Sequence, residues 1–562
     1  MSRRRGSSAT GPSRRQSPAA PRASGPRPAL VDPTHVVAAS LLVTLVVLIG
    51  YLHTLAYPFQ FDDLLNIQAN GALARPFDLA ALWHFRPSRV VVYLSLAWNG
   101  AITGLAPAGL RAGNLMIHVL ASLLVGWLAK ELTARLAGAP GRTRAARPEP
   151  ATIGLIAALL FAAHPLATQA VTYLIQRTTS LAALLELAAV AAYLRARRGK
   201  APAFWPVSWA CAILAALTKE MAIALPILIV LTELTLRRAG ATGRARWAML
   251  LPFLAVAPMV AWSTQLPWGL AGEMIPAVRQ SEHMSRLAYL ATQAIVIPRY
   301  LGLVVWPQGQ SLLHDVALHP RADLPVLGGV ALLAALSAGA WMLRVRAPLI
   351  ACGWAWFVIA ILPESSVFPI ADIMNEHRTY LPMAGLVMAA ATVLAAWRDT
   401  RARWTLAIAL VAGLTAVTHV RNRVWRDEAT LWSDVLRKNP GNALALNNLG
   451  LEYRKNGSYA ESEAAFRGAI ASEPWRANAY LNLGSLLGAR GRAAEAVAVL
   501  DSAAVAAPTE WRVFYSLGSA AWLAGDTTAA ARAYDRAIAL APGEPTPRAA
   551  LAGMRANPTL RR

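Results

Sequence analysis

The chain has 562 residues, 56% of them hydrophobic and only 15% charged, with a formal net charge of +24. A soluble protein of that length needs more charge to cover its surface, so the composition excludes an ordinary globular protein and points to the membrane. The arginine excess does not point to nucleic acid, because the basic residues stand in short tracts between apolar runs, the pattern left by positive-inside topology.

Residues 1–33 consist mainly of Ser, Pro, Ala and Arg, with no acidic residue before Asp32. Such a segment cannot bury a core and is expected to be a disordered, basic cytoplasmic tail. The first apolar run, 36–56, is long enough to span a bilayer and lacks an Ala-x-Ala cleavage site, so it reads as a retained helix. Further runs lie at 112–134, 151–167, 179–196, 203–218, 220–236, 247–264, 325–343, 348–363, 380–397 and 403–420. Basic tracts occupy 135–147, 195–200, 237–246, 344–346 and 398–403. All five share one face only if neighbouring tracts are separated by even numbers of spans, and these eleven runs satisfy that condition. Two more apolar stretches, 90–105 and 286–306, would break the parity, so both are expected to be interfacial or re-entrant helices on the outer side. The two cysteines, Cys211 and Cys352, lie far apart in apolar stretches and give no disulfide framework.

The fold class expected is therefore all-α: a polytopic bundle of about eleven spans over 34–420, followed by an extracytoplasmic helical solenoid over 421–562. Pro440, Pro474, Pro508 and Pro542 recur every 34 residues, the period of the tetratricopeptide repeat. Matching offsets carry Leu449, Gly450, Gly457 and Phe466, then Leu483, Gly484, Gly491 and Leu500, then Leu517, Gly518, Gly525 and Tyr534. Full repeats are expected at 441–474, 475–508 and 509–542, with 425–439 a half-repeat capping the array against the membrane. Three repeats form a concave surface suited to an extended peptide or partner protein.

Polar residues near spans are expensive and mark function. On the eleven-span count most gather on the outer face: Asp62 and Asp63, Arg86 and Arg89, His164, Gln176 and Arg177, Lys219 and Glu220, His314 and Asp315, and Asn375 to Tyr380. Adjacent carboxylates offer a general base for a hydroxyl, and fixed cations suit a phosphate leaving group. That chemistry fits group transfer from a lipid phosphate, and it equally fits binding such a lipid without reaction.

The motifs Phe61-Asp62-Asp63, His164-Pro165 through Gln176-Arg177, Lys219-Glu220 and Asn375-Glu376-His377-Arg378-Thr379-Tyr380-Leu381 resemble, in type and order, those of the TMTC family (transmembrane and tetratricopeptide repeat-containing proteins) and its bacterial relatives. The family is similar to the GT-C glycosyltransferases and protein O-mannosyltransferases. The resemblance implies transfer of a sugar, mannose or another hexose, from a polyprenyl-phosphate donor to Ser/Thr of a protein recruited by the repeats. It makes Asp62 and Asp63 the catalytic residues and Arg177, Lys219 and Arg378 the donor-phosphate ligands. His164, Glu220, Glu376 and His377 become sugar-contacting or supporting groups. No cofactor is expected; a divalent metal at Asp62 and Asp63 lacks a third ligand. The Ala- and Arg-rich composition places the chain in a bacterial inner membrane, N-terminus cytoplasmic and repeats periplasmic. Two alternatives remain: a non-catalytic scaffold for envelope assembly, and a GT-C transferase with a glycan or lipid acceptor.

Overall fold

The computed structural model describes residues 33–137, 149–197, 201–238, 247–265, 284–366, 369–370 and 372–556. The expected basic tail up to residue 32 and the centres of three arginine tracts (138–148, 198–200 and 239–246) lie outside the described residues. The described residues form helices and connecting turns, with no strand among them.

Helices α1 (Pro33–Tyr51), α2 (Leu79–Phe85), α3 (Val90–Thr103), α4 (Pro107–Ala137), α5 (Pro150–Ala163), α6 (Thr168–Val171), α7 (Arg177–Ala196), α8 (Phe204–Ala216), α9 (Leu225–Arg238) and α10 (Val256–Gln265) make up the first half. After them come α11 (Arg286–Val305), α12 (Leu324–Leu343), α13 (Pro348–Ile361), α14 (Tyr380–Ala395) and α15 (Thr400–Asn422). Their starts follow local chemistry. The Asp323 side chain accepts the Val326 N–H at 3.1 Å to begin α12, and Asp399 does the same for Arg401 at 2.8 Å to begin α15. Proline opens α5 and α13, where its missing N–H costs nothing.

Seven helices are long and apolar enough to cross a membrane, and a bent pair, Pro150–Ala163 with Pro165–Val171, makes an eighth. The 53° bend falls where Pro165 supplies no N–H; His164 Nδ1 accepts the Leu166 N–H at 3.2 Å instead. Of the eleven expected runs, six coincide with long helices, one with the bent pair, and four with shorter helices at 204–216, 225–238, 249–264 and 348–364.

The remaining long helix is α11, the 286–306 stretch expected on the outer surface. Its length and hydropathy alone would allow it to span. Its contacts give it another course. Tyr289 reaches the Glu364 carbonyl at 2.8 Å, Gln293 the Ile373 carbonyl at 3.1 Å, and Tyr300 the Asn375 carbonyl at 2.9 Å, while the Val304 carbonyl meets His164 Nε2 at 3.0 Å. These partners, spread over roughly 22 Å of helix, lie in the 364–375 segment and at the bend between α5 and α6. Helix α11 therefore runs along one end of the bundle.

Asp62 lies at that same end. Asn422 bonds the Gly50 carbonyl at 2.9 Å and Thr172 at 2.6 Å, and Thr418 bonds the Ala163 carbonyl at 2.7 Å, so the ends of α1, α5 and α15 meet there. The basic tracts mark the other end: Arg135 bonds the Leu194 carbonyl at 2.5 Å, and Arg197 and Arg237 pair with Glu233 at 2.9 and 3.0 Å.

Close packing inside the bundle depends on glycine. A Cβ on Gly353 of α13 would lie 2.3 Å from the Gly385 carbonyl of α14, and one on Gly385 equally close to the Gly353 carbonyl. Small residues let helix backbones touch where lipid supplies no hydrophobic drive.

Helices α16 (Glu428–Lys438), α17 (Ala443–Lys455), α18 (Tyr459–Ser472), α19 (Ala477–Ala489), α20 (Ala493–Ala506), α21 (Trp511–Leu523), α22 (Thr527–Leu540) and α23 (Pro545–Ala556) complete the chain. From α17 to α22 they form three antiparallel pairs whose turns use Gly457, Gly491 and Gly525 at φ of 79°, 75° and 88°. Within each pair a glycine makes room for a large residue: Gly450 for Phe466, Gly484 for Leu500, Gly518 for Tyr534.

Replacing Gly385 with alanine is expected to cost about 1–3 kcal/mol by overpacking and to lower the thermal unfolding midpoint of the detergent-solubilised chain. An unchanged midpoint would contradict the backbone contact.

Candidate active site

The site begins where α1 ends. Residues 60–63 form a tight turn in which Phe61 adopts φ of +48°, the one positive-φ non-glycine residue among those described. For an L-residue that conformation costs about 1–2 kcal/mol. Neighbouring bonds hold it. Asp63, fully buried, accepts the Ile175 N–H on Oδ1 at 2.8 Å and the Gln60 N–H on Oδ2 at 3.3 Å. Its carboxylate thus ties the turn to the segment before α7. Asp62 stays partly open, and its backbone N–H donates to the Tyr173 hydroxyl at 3.1 Å.

The two carboxyls share a direction of pKa shift. Burial pushes Asp63 up to about 7, against the Ile175 N–H, the Arg111 charge and the Gln60 N–H, which favour the anion. Burial also raises Asp62, opposed by the Tyr173 hydroxyl and by Arg86 and Arg89, with Asp372 adding to the rise. Desolvation outweighs the nearby cations at both positions.

Arg86 and Arg89 sit at either end of the 3₁₀ turn Pro87–Arg89, and a three-residue turn sets both guanidinium groups on one face. Both are partly exposed. Arg89 Nη2 lies 3.3 Å from Glu220 Oε1, and its Nε has no hydrogen-bond partner. Burial and the Arg89 charge bring Arg86 down to about 10, still protonated at neutral pH.

The cations singled out for the donor phosphate are each bonded to protein groups. Arg177, 1% exposed, donates to Asn114 at 2.6 Å, Asn99 at 2.8 Å and the Leu110 and Ser95 carbonyls at 2.6 and 3.1 Å. Those bonds fasten α3 and α4 to the start of α7. Lys219 pairs with Glu364 at 2.8 Å and donates to Thr179 at 3.0 Å, with both ions buried. Arg378 donates to the Asp372 and Ile373 carbonyls at 2.6 and 3.2 Å and holds that loop. All three are internal struts in this structure. Arg86 and Arg89 were placed on the outer face by sequence but not distinguished there; their three-residue spacing across a proline was the available signal.

Glu376 is almost fully buried and accepts from Gln310 at 2.9 Å, the Ser311 N–H at 2.6 Å and His314 Nε2 at 2.9 Å. The backbone N–H of His377 donates to Gln169 at 2.7 Å. His164 completes the bend described above and does not join the Asp62 cluster. Glu220 does, through Arg89. Among the described residues no group of three or more His, Cys, Asp or Glu side chains could hold a metal ion. The arrangement supplies a partly exposed carboxylate with a raised pKa, and the charges of Arg86 and Arg89 oppose that rise. Such a carboxylate can take a proton while the arginines hold an anion.

Residues 415–480, 447–510 and 481–545 each match the tetratricopeptide-repeat family model. The chain is 23% identical over 449 residues to Protein O-mannosyl-transferase Tmtc3 of Drosophila melanogaster, covering 68% of this chain and 48% of that one. It is 31% identical over 124 residues to Protein O-mannosyl-transferase Tmtc1 of the same organism, covering 20% of this chain and 14% of that one. The chain thus spans about half the length of Tmtc3. Among solved structures it is similar to the first TPR of Spaghetti (RPAP3) bound to an HSP90 peptide (20% identity, 20% of this chain, 91% of that chain, TM-score 0.20). It is also similar to MamA (22% identity, 24% and 78%, TM-score 0.22). Fold and site define a multi-pass helical membrane protein that ends in tetratricopeptide repeats. Within that class the chain is related to the TMTC proteins.

Asp63 gives a pH test of the turn. Its folded value of about 7 stands above the ordinary 3.8, so its stabilising contribution is complete below about pH 4 and is lost as pH rises towards 7. An Asp63→Asn chain lacks that titration. The stability advantage of the parent over Asp63→Asn should therefore shrink from pH 4 to 7 in thermal unfolding; a constant difference would contradict the assignment.

Proposed function

We propose that the protein is an inverting, GT-C-type glycosyltransferase that moves a hexose from a polyprenyl-phosphate donor to Ser or Thr hydroxyls of proteins held by the repeats. The observation that carries this reading is Asp62, partly exposed on the strained Phe61 turn and held at its N–H by the Tyr173 hydroxyl, with the charges of Arg86 and Arg89 close enough to favour its anion. Asp62 takes the proton from the acceptor hydroxyl as its oxygen attacks the anomeric carbon. The bond from that carbon to the phosphate oxygen breaks, and the lipid phosphate leaves against Arg86 and Arg89. A single displacement inverts the anomeric centre and needs no covalent enzyme intermediate. Mannose as the sugar is supported by the names of Tmtc3 and Tmtc1. Site and repeats on the outer face of the membrane are supported by Arg135, Arg197 and Arg237 lying at the end opposite Asp62; a bacterial inner membrane is proposed from the Ala- and Arg-rich composition.

In this reading Lys219 and Arg378 brace the neighbouring loops through Glu364 and the 372–373 carbonyls, and Asp63 aims the turn. Glu220 keeps Arg89 in place.

Periplasmic glycopeptides from cells carrying the parent chain or an equally expressed Asp62→Asn variant should differ by loss of hexose from Ser/Thr peptides in mass spectra. An identical glycopeptide set would refute the assignment and favour a scaffold or a glycan acceptor. Arg89→Gln should raise the KM for the lipid-linked donor about tenfold or more, the worth of one charge-assisted contact. An unchanged KM in a folded variant would remove Arg89 from the phosphate site.

A further inference from the structure

We infer that helix α16, through Glu428, is a positioning element for the Asp62 carboxylate, an inference that rests on the role given to Asp62 above. Phe61 holds a backbone conformation that its own side chain opposes, so something outside the turn must stabilise it. Glu428 Oε1 accepts the Phe61 N–H at 2.7 Å. Its other oxygen accepts the Trp432 Nε1–H at 3.2 Å, and the buried Trp432 ring meets Phe61 edge-on at 5.1 Å. One residue back, the Gln60 amide donates to the Trp425 carbonyl.

The same segment reaches the second anchor of Asp62. Trp425 stacks on Tyr173 at 5.3 Å and 26°, and the Tyr173 hydroxyl receives the Asp62 N–H. Both supports of Asp62, its neighbour in the chain and its partner across space, are therefore held by residues 425–432. At the far end of α16, Lys438 bonds Asp434 at 2.5 Å and also the Gln310 carbonyl, while the Gln310 amide holds Glu376. Asp434 is rooted by Arg421 at 2.7 Å. The segment bridges the site from the Asp62 turn to the Glu376–His314 pair, then continues through Pro440 into the first repeat.

The repeat domain is thus joined to the reacting turn, and a truncation at residue 425 removes a support of Asp62 along with the repeats. Loss of transfer in such a truncation would not by itself show that the repeats recruit the acceptor.

The test uses the full chain with Asp62→Cys as a reporter, labelled by a membrane-impermeant maleimide. The parent chain, with Cys211 and Cys352, supplies the background. Adding Glu428→Ala should speed labelling of the introduced thiol about tenfold, as expected for loss of one charge-assisted bond. Glu428→Gln, which still accepts the Phe61 N–H, should restore most of the slow rate. An unchanged rate in Glu428→Ala would overturn the inference. With Asp62 intact, Glu428→Ala should lower kcat while leaving the KM for the donor unchanged. The acid limb of the pH profile should also move to lower pH, because Asp62 loses burial; a profile that only scales down would overturn the inference. Labelling does not depend on catalysis, so a labelling response together with no transfer activity in the Asp62-intact parent chain would keep the positioning role and reject the transferase reading.

Discussion

A charge taken out of water at the end of an apolar helix bundle must find a partner, and this requirement organises the structure around the site. Lys219 meets Glu364, Arg378 meets loop carbonyls, Arg177 meets two asparagines and two carbonyls, and Arg421 meets Asp434. The Lys219 and Arg177 pairings join segments distant in sequence, while Arg378 and Arg421 close shorter loops. Together they hold the inter-helix turns in one layer, with α11 lying along it. Asp62, Arg86 and Arg89 are less deeply buried than Lys219, Arg177 and Arg378.

The two adjacent aspartates show how one motif divides its work. Asp63 turns inward and spends both oxygens on backbone N–H groups, while Asp62 keeps its carboxylate near the surface. The strain at Phe61 buys that opposed orientation, and three separate contacts from the 425–432 segment maintain it. The membrane bundle and the repeat array therefore meet at the residues that carry the proposed chemistry.

Much of this was legible in the sequence. The repeats follow from prolines and glycines at a 34-residue period, because each glycine answers a steric demand that recurs in every unit. The two ends of the bundle follow from the spacing of arginine tracts. Charge parity gave the expectation that α11 lies on the outer side, although its hydropathy equals that of a span. What could not be read was which groups each cation bonds: a motif list gives Arg177, Lys219 and Arg378 without their partners. In this structure each of the three is bonded to protein groups. The role of Glu428 was equally hidden, since it depends on a backbone conformation at Phe61, 367 residues away.

The most direct measurement is an electron cryo-microscopy structure of the full chain with a polyprenyl-phosphate hexose bound. The account predicts the phosphate against Arg86 and Arg89, the anomeric carbon facing Asp62, and the Lys219–Glu364 pair intact. A phosphate bound by Lys219 or Arg378, with that pair broken and Asp62 remote from the sugar, would contradict it.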